Sequence, residues 1–341
     1  MTIVHLLGSG NDGGAERYFI DLLTALQAQE GDQAAVIRPH AARLAALEDA
    51  GVPTTTAPFS GLADFATAPV VGRVLRAQHA PLAVQWMNRA GRFIPPGPWR
   101  RVGRLGGYYN LRYYRGCDHL IANTADIARW IVEQGWPAAR VSHIPNFAEP
   151  GPQPALDRAA LDTPEDAPLL LAMGRLHPVK AHDTALRVLA RLPGAVLWIA
   201  GAGPLEAELR AEAARLGVAG RVRWLGWRED ASALYRAADV CLFPSRFEPL
   251  GNVVIQAWAH GLPVVAAAAA GPAALISPGE DGLLAPVDDD AALAAAVRRL
   301  LEEPGLRARL AERGRAKAAA EFGREAVLAR WRALFGRLAG G

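Results

Sequence analysis

An α/β fold built from two doubly wound parallel-sheet domains is predicted by three observations. Short apolar runs alternate with helix-length amphipathic segments along almost the whole chain, the pattern of strand–helix units on parallel sheets. A segment at 147–168 (FAEPGPQPALDRAALDTPEDAP), rich in proline and polar residues, interrupts that alternation like a linker. Beyond it the alternation restarts. A length of 341 residues is enough for two such domains with separate cores. Residues 1–160 are expected to form the first domain and 161–323 the second.

In the first half, apolar runs predict strands near 3–7, 34–37, 83–85, 119–122 and 141–144. Helical spacing predicts helices near 15–29, 41–50 and 124–134 between them. The chain start (MTIVHLLGSG) has no basic segment before its short apolar run, so it reads as a first strand and not as a signal peptide. In the second half, strands are expected near 169–173, 195–200, 222–225, 240–243, 263–266 and 282–284, again alternating with helices. A long helical region follows from 289 to about 338, with a break near Pro304. Two doubly wound sheets would bind ligands at their C-terminal edges, in a cleft between the domains.

Composition excludes several classes. Hydrophobic residues make up 51% and charged residues 21%, ordinary for a globular protein. Cys117 and Cys241 lie far apart and without metal-type spacing, which argues against a disulfide framework or zinc site and for a reducing cytoplasm. No apolar stretch reaches membrane-spanning length. The net charge of +3 is small, but it is unevenly spread: no Asp or Glu occurs from Phe65 to Cys117. Arginines of the 73–115 stretch there interleave with Trp86, Phe93, Trp99, Tyr108, Tyr109, Tyr113 and Tyr114. That mixture suits peripheral contact with an anionic membrane or a phosphorylated partner, and a set of solvated helix faces would read the same. No nucleic-acid motif accompanies it.

Five segments carry chemistry. Gly8-Ser9-Gly10-Asn11-Asp12-Gly13-Gly14 follows the first strand and opens a helix, the context of a dinucleotide-binding turn. The second strand ends Ile37-Arg38-Pro39-His40 without an acid for a ribose, so only an NADP-dependent oxidoreductase survives as the alternative. The other reading is a turn that brings backbone close to a diphosphate or sugar. Gly174-Arg175-Leu176-His177-Pro178-Val179-Lys180 leaves the first strand of the second domain. Arg175 and Lys180 could clamp a diphosphate. The chain uses only Lys180 and Lys317 among many arginines, so a lysine retained here points to a need for a compact, mobile cation. Gly201-Ala202-Gly203-Pro204 and Leu225-Gly226-Trp227 are strand-end turns. Pro244 to Ala266 is a strand, a turn at Glu248-Pro249-Leu250-Gly251, a helix with Gln256 and a further strand. A carboxylate beside a helix N-terminus suits a ligand with both hydroxyls and phosphate. Asp288-Asp289-Asp290 precedes an alanine-rich helical run and reads as a cap, not a metal site. His177, His182 and His260 form no ligand-spaced group and read as incidental.

These motifs, in this order and over most of the chain, resemble glycosyltransferase family 4, retaining enzymes of GT-B architecture. The resemblance rests on Gly13–Glu16, Ile144-Pro145-Asn146, Gly174-Arg175…Lys180, Gly201–Pro204, Leu225-Gly226, Phe243-Pro244-Ser245…Glu248-Pro249-Leu250-Gly251 and Gly261-Leu262-Pro263-Val264-Val265. It implies a retaining, metal-independent transfer of a hexosyl unit from a UDP- or GDP-linked sugar to a glycan or glycolipid acceptor, as in surface polysaccharide or lipopolysaccharide synthesis. No cofactor beyond the nucleotide-sugar substrate is implied. Arg175 and Lys180 would neutralise the donor diphosphate, and Glu248 would hold sugar hydroxyls. Leu250, Gly251, Asn252 and Val253 would cradle phosphate, with Gly13 and Gly14 approaching from the other domain. Gly203, Gly226 and Trp227 would line the donor. A last helix near 324–341 would return to the first domain. The enzyme would work in the cytoplasm or at the inner membrane face.

Two positions depart from the family pattern. A second Glu, eight residues after the first, commonly bonds the nucleotide ribose, and here that position is Gln256. An amide keeps an acceptor oxygen but loses the charge-assisted part of that bond, which implies altered nucleotide binding or a catalytically silent binding protein. Where many members have a His facing the donor sugar, this chain has Gln85-Trp86-Met87-Asn88-Arg89. Asn88, Arg89 and Arg92 are the expected acceptor-side residues.

Overall fold

Both sheets are wholly parallel, and their central strands are buried on both faces, which is why they read as largely apolar runs, broken only by His5 in the first and Gln85 in the fourth strand of the chain. The computed structural model describes residues 2–11, 13–61 and 63–340. In chain order the elements begin β1 (Ile3–Leu7), α1 (Gly14–Glu30), β2 (Gln33–Ile37), α2 (Ala41–Asp49), β3 (Thr54–Thr56), α3 (Thr67–Ala77), β4 (Leu82–Trp86) and α4 (Met87–Ala90). They continue β5 (Arg100–Leu105), β6 (His119–Ala122), α5 (Ala125–Glu133) and β7 (Val141–His143). The second half gives β8 (Leu169–Met173), α6 (His182–Ala190), β9 (Val196–Ala200), α7 (Glu206–Arg215), β10 (Val222–Gly226), α8 (Ala231–Ala237) and β11 (Val240–Phe243). It closes with α9 (Asn252–Ala259), β12 (Val264–Ala267), α10 (Ala270–Leu275), β13 (Leu283–Ala285), α11 (Asp290–Glu302), α12 (Pro304–Phe322) and α13 (Arg324–Ala339).

The strands form a seven-stranded sheet, β3-β2-β1-β4-β5-β6-β7, and a six-stranded sheet, β10-β9-β8-β11-β12-β13. One compact unit comprises Met1–Asn146 with Glu325–Gly341, and the other comprises Phe147–Arg324. The division thus falls after Asn146 and not near residue 160. The proline-rich segment goes with the second unit, where Ala148 N–H donates to Phe322 O at 3.0 Å and Gly151 N–H to Ser232 Oγ at 2.8 Å. The terminal helical region breaks at two places. Pro304 sits in the first turn of α12, where a missing N–H costs nothing, and Gly323 separates α12 from α13. Within the first unit α13 lays Trp331 parallel to Trp86, with ring centroids 6.4 Å apart, and Phe335 edge-on to His5 at 6.0 Å.

Two strands went unexpected. β3 is three threonines long, below the length at which alternation can be read. β5 carries Arg100, Arg101 and Arg104 and so looked like surface. This changes the picture of the 73–115 stretch. Trp86, Phe93, Ile94, Trp99 and Tyr114 are buried in the first unit's core, and only Tyr108 and Tyr113 of the interleaved aromatics are exposed. The aromatics are mostly core, and what faces solvent is mainly arginine.

Candidate functional site

The order of the second sheet reverses between β8 and β11, so the loops leaving these strands part to opposite faces and leave a crevice at their C-terminal ends. The expected motifs sit there. Gly174 N–H donates to Ala200 O at 3.0 Å and Gly201 N–H to Gly226 O at 2.7 Å, which stacks the β8, β9 and β10 turns backbone on backbone. A Cβ on Gly201 would lie 2.0 Å from Gly174 O, and one on Gly203 would lie 2.4 Å from Leu176 O. Only glycine allows that approach. Gly226 ends β10, and Trp227 beyond it is 69% exposed.

Lys180 and Glu248, expected as separate donor contacts, are ion-paired through Nζ and Oε2. Both are partly buried, and Lys180 also lies over the Phe243 ring, 5.7 Å from its centroid. The second Glu248 oxygen accepts from Gly251 N–H at 3.3 Å. The turn geometry is set by Gly251, whose φ of 90° is a left-handed conformation that residues with a Cβ resist. Leu250 is buried, and Asn252 and Val253 form the first turn of α9. Arg175 is exposed, with no ion pair among the described residues. Gln256 sits one turn into α9, exposed, its Oε1 accepting from Tyr235 Oη at 3.3 Å. Tyr235 in turn stacks on His260, with centroids 4.9 Å apart.

Residues that sequence reasoning passed over hold this geometry. Arg246 forks onto Asp183 with contacts of 3.0 and 2.6 Å, reaches Asp288 Oδ1 at 2.7 Å and donates to Pro178 O at 2.9 Å. With Arg246 N–H on Val179 O at 2.9 Å, it ties the loop carrying Glu248 to the loop carrying Lys180. Burial alone would raise the Asp183 carboxyl, but hydrogen bonds and charge from Arg246, with Arg187, hold it below the usual range. His182, read as incidental, is buried and meets Gly174 O through Nε2 at 3.1 Å. Burial lowers its pKa to about 4 despite that bond, and Lys180 adds to the lowering. The neutral ring therefore donates from Nε2 and braces the Gly174 turn. His182 Nδ1 and Ser245 Oγ are buried without partners among the described residues, as polar atoms facing a ligand site often are. No sequence spacing marks Arg246 or His182. Asp289 caps α11 by accepting from Ala292 N–H at 2.8 Å, while Asp288 and Asp290 pair with arginines.

In the first unit the sheet order reverses between β1 and β4. The Gly-rich loop follows β1, and its Asp12 lies outside the described residues. Gly13 precedes α1, Gly14 begins it, and Ser9 Oγ donates to the buried Glu16 carboxylate. Arg43 donates to Ser9 O and Asn11 O, both at 2.8 Å, so the loop is held by an arginine beyond the motif. Asn88, Arg89 and Arg92 follow β4. Arg89 reaches Phe59 O at 3.3 Å and Arg92 reaches Ser60 O at 3.3 Å, so both also brace a neighbouring loop. Asn88 Oδ1 is buried and unpartnered among the described residues.

Two parallel-sheet Rossmann-like units with glycine turns and a Lys–Glu pair at strand ends define a class, the GT-B proteins that handle nucleotide-linked ligands. Residues 155–317 match the family described as Glycosyl transferases group 1. The chain is 38% identical over 323 residues to the lipopolysaccharide core biosynthesis glycosyltransferase LpsE of Rhizobium meliloti, covering 93% of this chain and 94% of that protein. It is 34% identical over 341 residues to LpsD of the same organism, covering 99% and 98%. HepE of Anabaena, solved in complex with UDP, shares the fold with a TM-score of 0.85 at 23% identity, covering 99% of this chain and 100% of that one. The chain belongs to the group 1 glycosyl transferases and is a glycosyltransferase. Nothing in this supports the oxidoreductase reading of the Gly-rich turn.

Proposed function

We propose that the protein transfers a hexosyl unit, with retention and without a metal, from a UDP-linked sugar to a growing lipopolysaccharide core. The Lys180–Glu248 ion pair carries the proposal. Its two charges match the two ends of a nucleotide-sugar: the ammonium suits the diphosphate and the carboxylate suits sugar hydroxyls. Each holds the other in place until a donor with both features competes for them. Arg175, exposed on the same loop, would add the second positive charge on the diphosphate. With the leaving group neutralised by side chains, electrostatic stabilisation of the departing UDP is the protein's main contribution to rate. Leu250, Gly251, Asn252 and Val253 would meet phosphate, and Gly203, Gly226 and Trp227 would border the nucleotide. Gly13, Gly14, Asn88, Arg89 and Arg92 are the proposed first-unit contacts to donor phosphate and acceptor. The lipopolysaccharide direction is supported by LpsE and LpsD, whose names assign them to core biosynthesis. UDP is favoured over GDP because HepE has been solved with UDP-glucose.

The test is a panel of UDP- and GDP-sugars with truncated core acceptors, run with and without EDTA. Anomeric NMR of the product reads the stereochemistry. Transfer from a UDP-hexose, unaffected by EDTA and with the anomeric configuration kept, is expected. Lys180→Met should lower kcat by about 10²–10³. Inversion at the anomeric carbon, or activity abolished by EDTA, would overturn the mechanism.

A further inference from the structure

The first unit contains a buried arginine that no carboxylate neutralises among the described residues. Arg104 in β5 is 2% exposed. Its Nη2 donates to Asn146 Oδ1. The Tyr18 and Trp86 rings lie 5.2 and 5.0 Å from its Cζ. Among the described residues no carboxylate pairs with it, and Nε is buried without a partner. A guanidinium has five N–H donors, and one contact uses one of them. An isolated buried charge is costly unless something compensates it, and two ring faces are a partial answer.

The unspent donors have a direction. Gly106 follows β5 and is partly exposed. The point where a Cβ would stand on it lies 3.1 Å from Arg104 Nη1, 3.6 Å from Tyr109 Oη and 3.8 Å from Asn123 Nδ2. Three donors, from β5, from the loop after it and from the loop after β6, thus flank the side of Gly106 where no side chain stands. Asn123 also has a buried, unpartnered Oδ1 among the described residues. Burial raises the pKa of the Tyr109 phenol, so it remains a donor. The Glu16 carboxylate accepts from Ser9 Oγ and lies near enough to Tyr109 to act on it, but it makes no ion pair with Arg104 among the described residues.

We propose that Arg104, Tyr109 and Asn123 form a pocket for an oxyanion, a phosphate or carboxylate carried by the acceptor, and so restrict the enzyme to acidic acceptors. The acceptor part of this rests on the proposed sugar transfer, whereas the anion pocket stands without it. Three donors grouped beside one glycine, an otherwise uncompensated guanidinium among them, suit a charged oxyanion group better than a neutral hydroxyl.

The first measurement needs no activity. Arginine Nε–H signals of the ¹⁵N-labelled wild-type protein are followed while inorganic phosphate, and separately glucuronate, is added. The Arg104 signal is assigned by its absence in Arg104→Lys. A saturable shift of that signal is expected, and Gly106→Ala should abolish it. The added methyl comes closest to Arg104 Nη1, at 3.1 Å, and needs a shift of only a few tenths of an ångström, and a melting curve checks that the variant folds. No saturable shift with either anion, or an unchanged shift in Gly106→Ala, would overturn the pocket. The second measurement compares phosphorylated, uronate-bearing and neutral core acceptors. Gly106→Ala should raise KM at least tenfold for whichever acidic acceptor the wild type prefers and leave KM for the neutral one unchanged. Equal effects on all three would overturn the acceptor assignment. If no acceptor is glycosylated by the wild type, the proposed function fails while the titration still decides the pocket.

Discussion

Gln256 concentrates the question of how far the chain follows its family. It was legible in the sequence as an amide eight residues beyond Glu248, but its surroundings were not. The amide oxygen already accepts from Tyr235, whose buried ring is fixed by stacking on His260. It therefore stands pre-oriented beside the α9 N-terminal turn and needs no rearrangement to accept from a ribose hydroxyl. A carboxylate in the same position would make a stronger, charge-assisted bond to that hydroxyl, by a difference on the order of 1 kcal/mol. Gln256→Glu is accordingly expected to tighten UDP binding by about fivefold to tenfold, read by calorimetry, with little change in kcat. Unchanged UDP affinity would remove Gln256 from the nucleotide site.

At the scale of elements, what the sequence disclosed depended on how each element is stabilised. β1, β8 and β11 could be read because burial on both faces demands mostly apolar residues. β5 (RRVGRL) could not, because arginines interrupt its apolar pattern and meet partners distant in sequence: Arg101 Nη2 donates to Gly91 O, and Arg104 Nη2 to Asn146 Oδ1. The same holds for the candidate site. Gly174, Lys180, Glu248 and Gly251 stand out by residue type and position, while the fork of Arg246 onto Asp183 joins residues 63 apart and leaves no local pattern. That fork tests how the loops are held. Arg246→Met should free the loops bearing Glu248 and Lys180 from one another. We expect kcat to fall at least tenfold, since misplacement by about 1 Å can cost as much as 10². The Arg246 and Asp183 side chains are 30% and 32% exposed, so the stability lost on thermal unfolding should be no more than about 1–2 kcal/mol. A variant with normal turnover would show that the loops are positioned by backbone contacts alone.

For the whole molecule, the same burial that builds two parallel sheets also stores an acid sensitivity. In the first unit, burial lowers the pKa of His5 to about 4, against an opposing hydrogen bond to Gln33, and lowers that of His119 to about 4 with help from Arg337 and Arg140. His143, exposed at the end of edge strand β7, is lowered as well, chiefly by partial desolvation. In the second unit, burial takes His182 to about 4 and lowers His260. His5 is locked neutral by geometry, since its Nδ1 accepts from Trp86 Nε1 at 3.2 Å and its Nε2 meets Gln33 Oε1 at 3.0 Å. The sign follows directly. Each folded pKa lies below the ordinary value near 6.5, so from pH 6.5 down to about 4 the unfolded chain binds protons that the folded chain refuses. Stability then falls with pH across that window and is insensitive to these groups above it. Scanning calorimetry from pH 7.5 to 4 should therefore show a level melting temperature that drops below about 6.5. If the two units melt separately, the one holding His5, His119 and His143 should lose stability more steeply than the one holding His182 and His260. His5→Gln, which keeps a donor towards Gln33 but cannot take up a proton, should be less stable at pH 7 and show a shallower slope below 6.5. A melting temperature flat from pH 7.5 to 4, or an unaltered slope in that variant, would mean that these histidines do not set the acid limit.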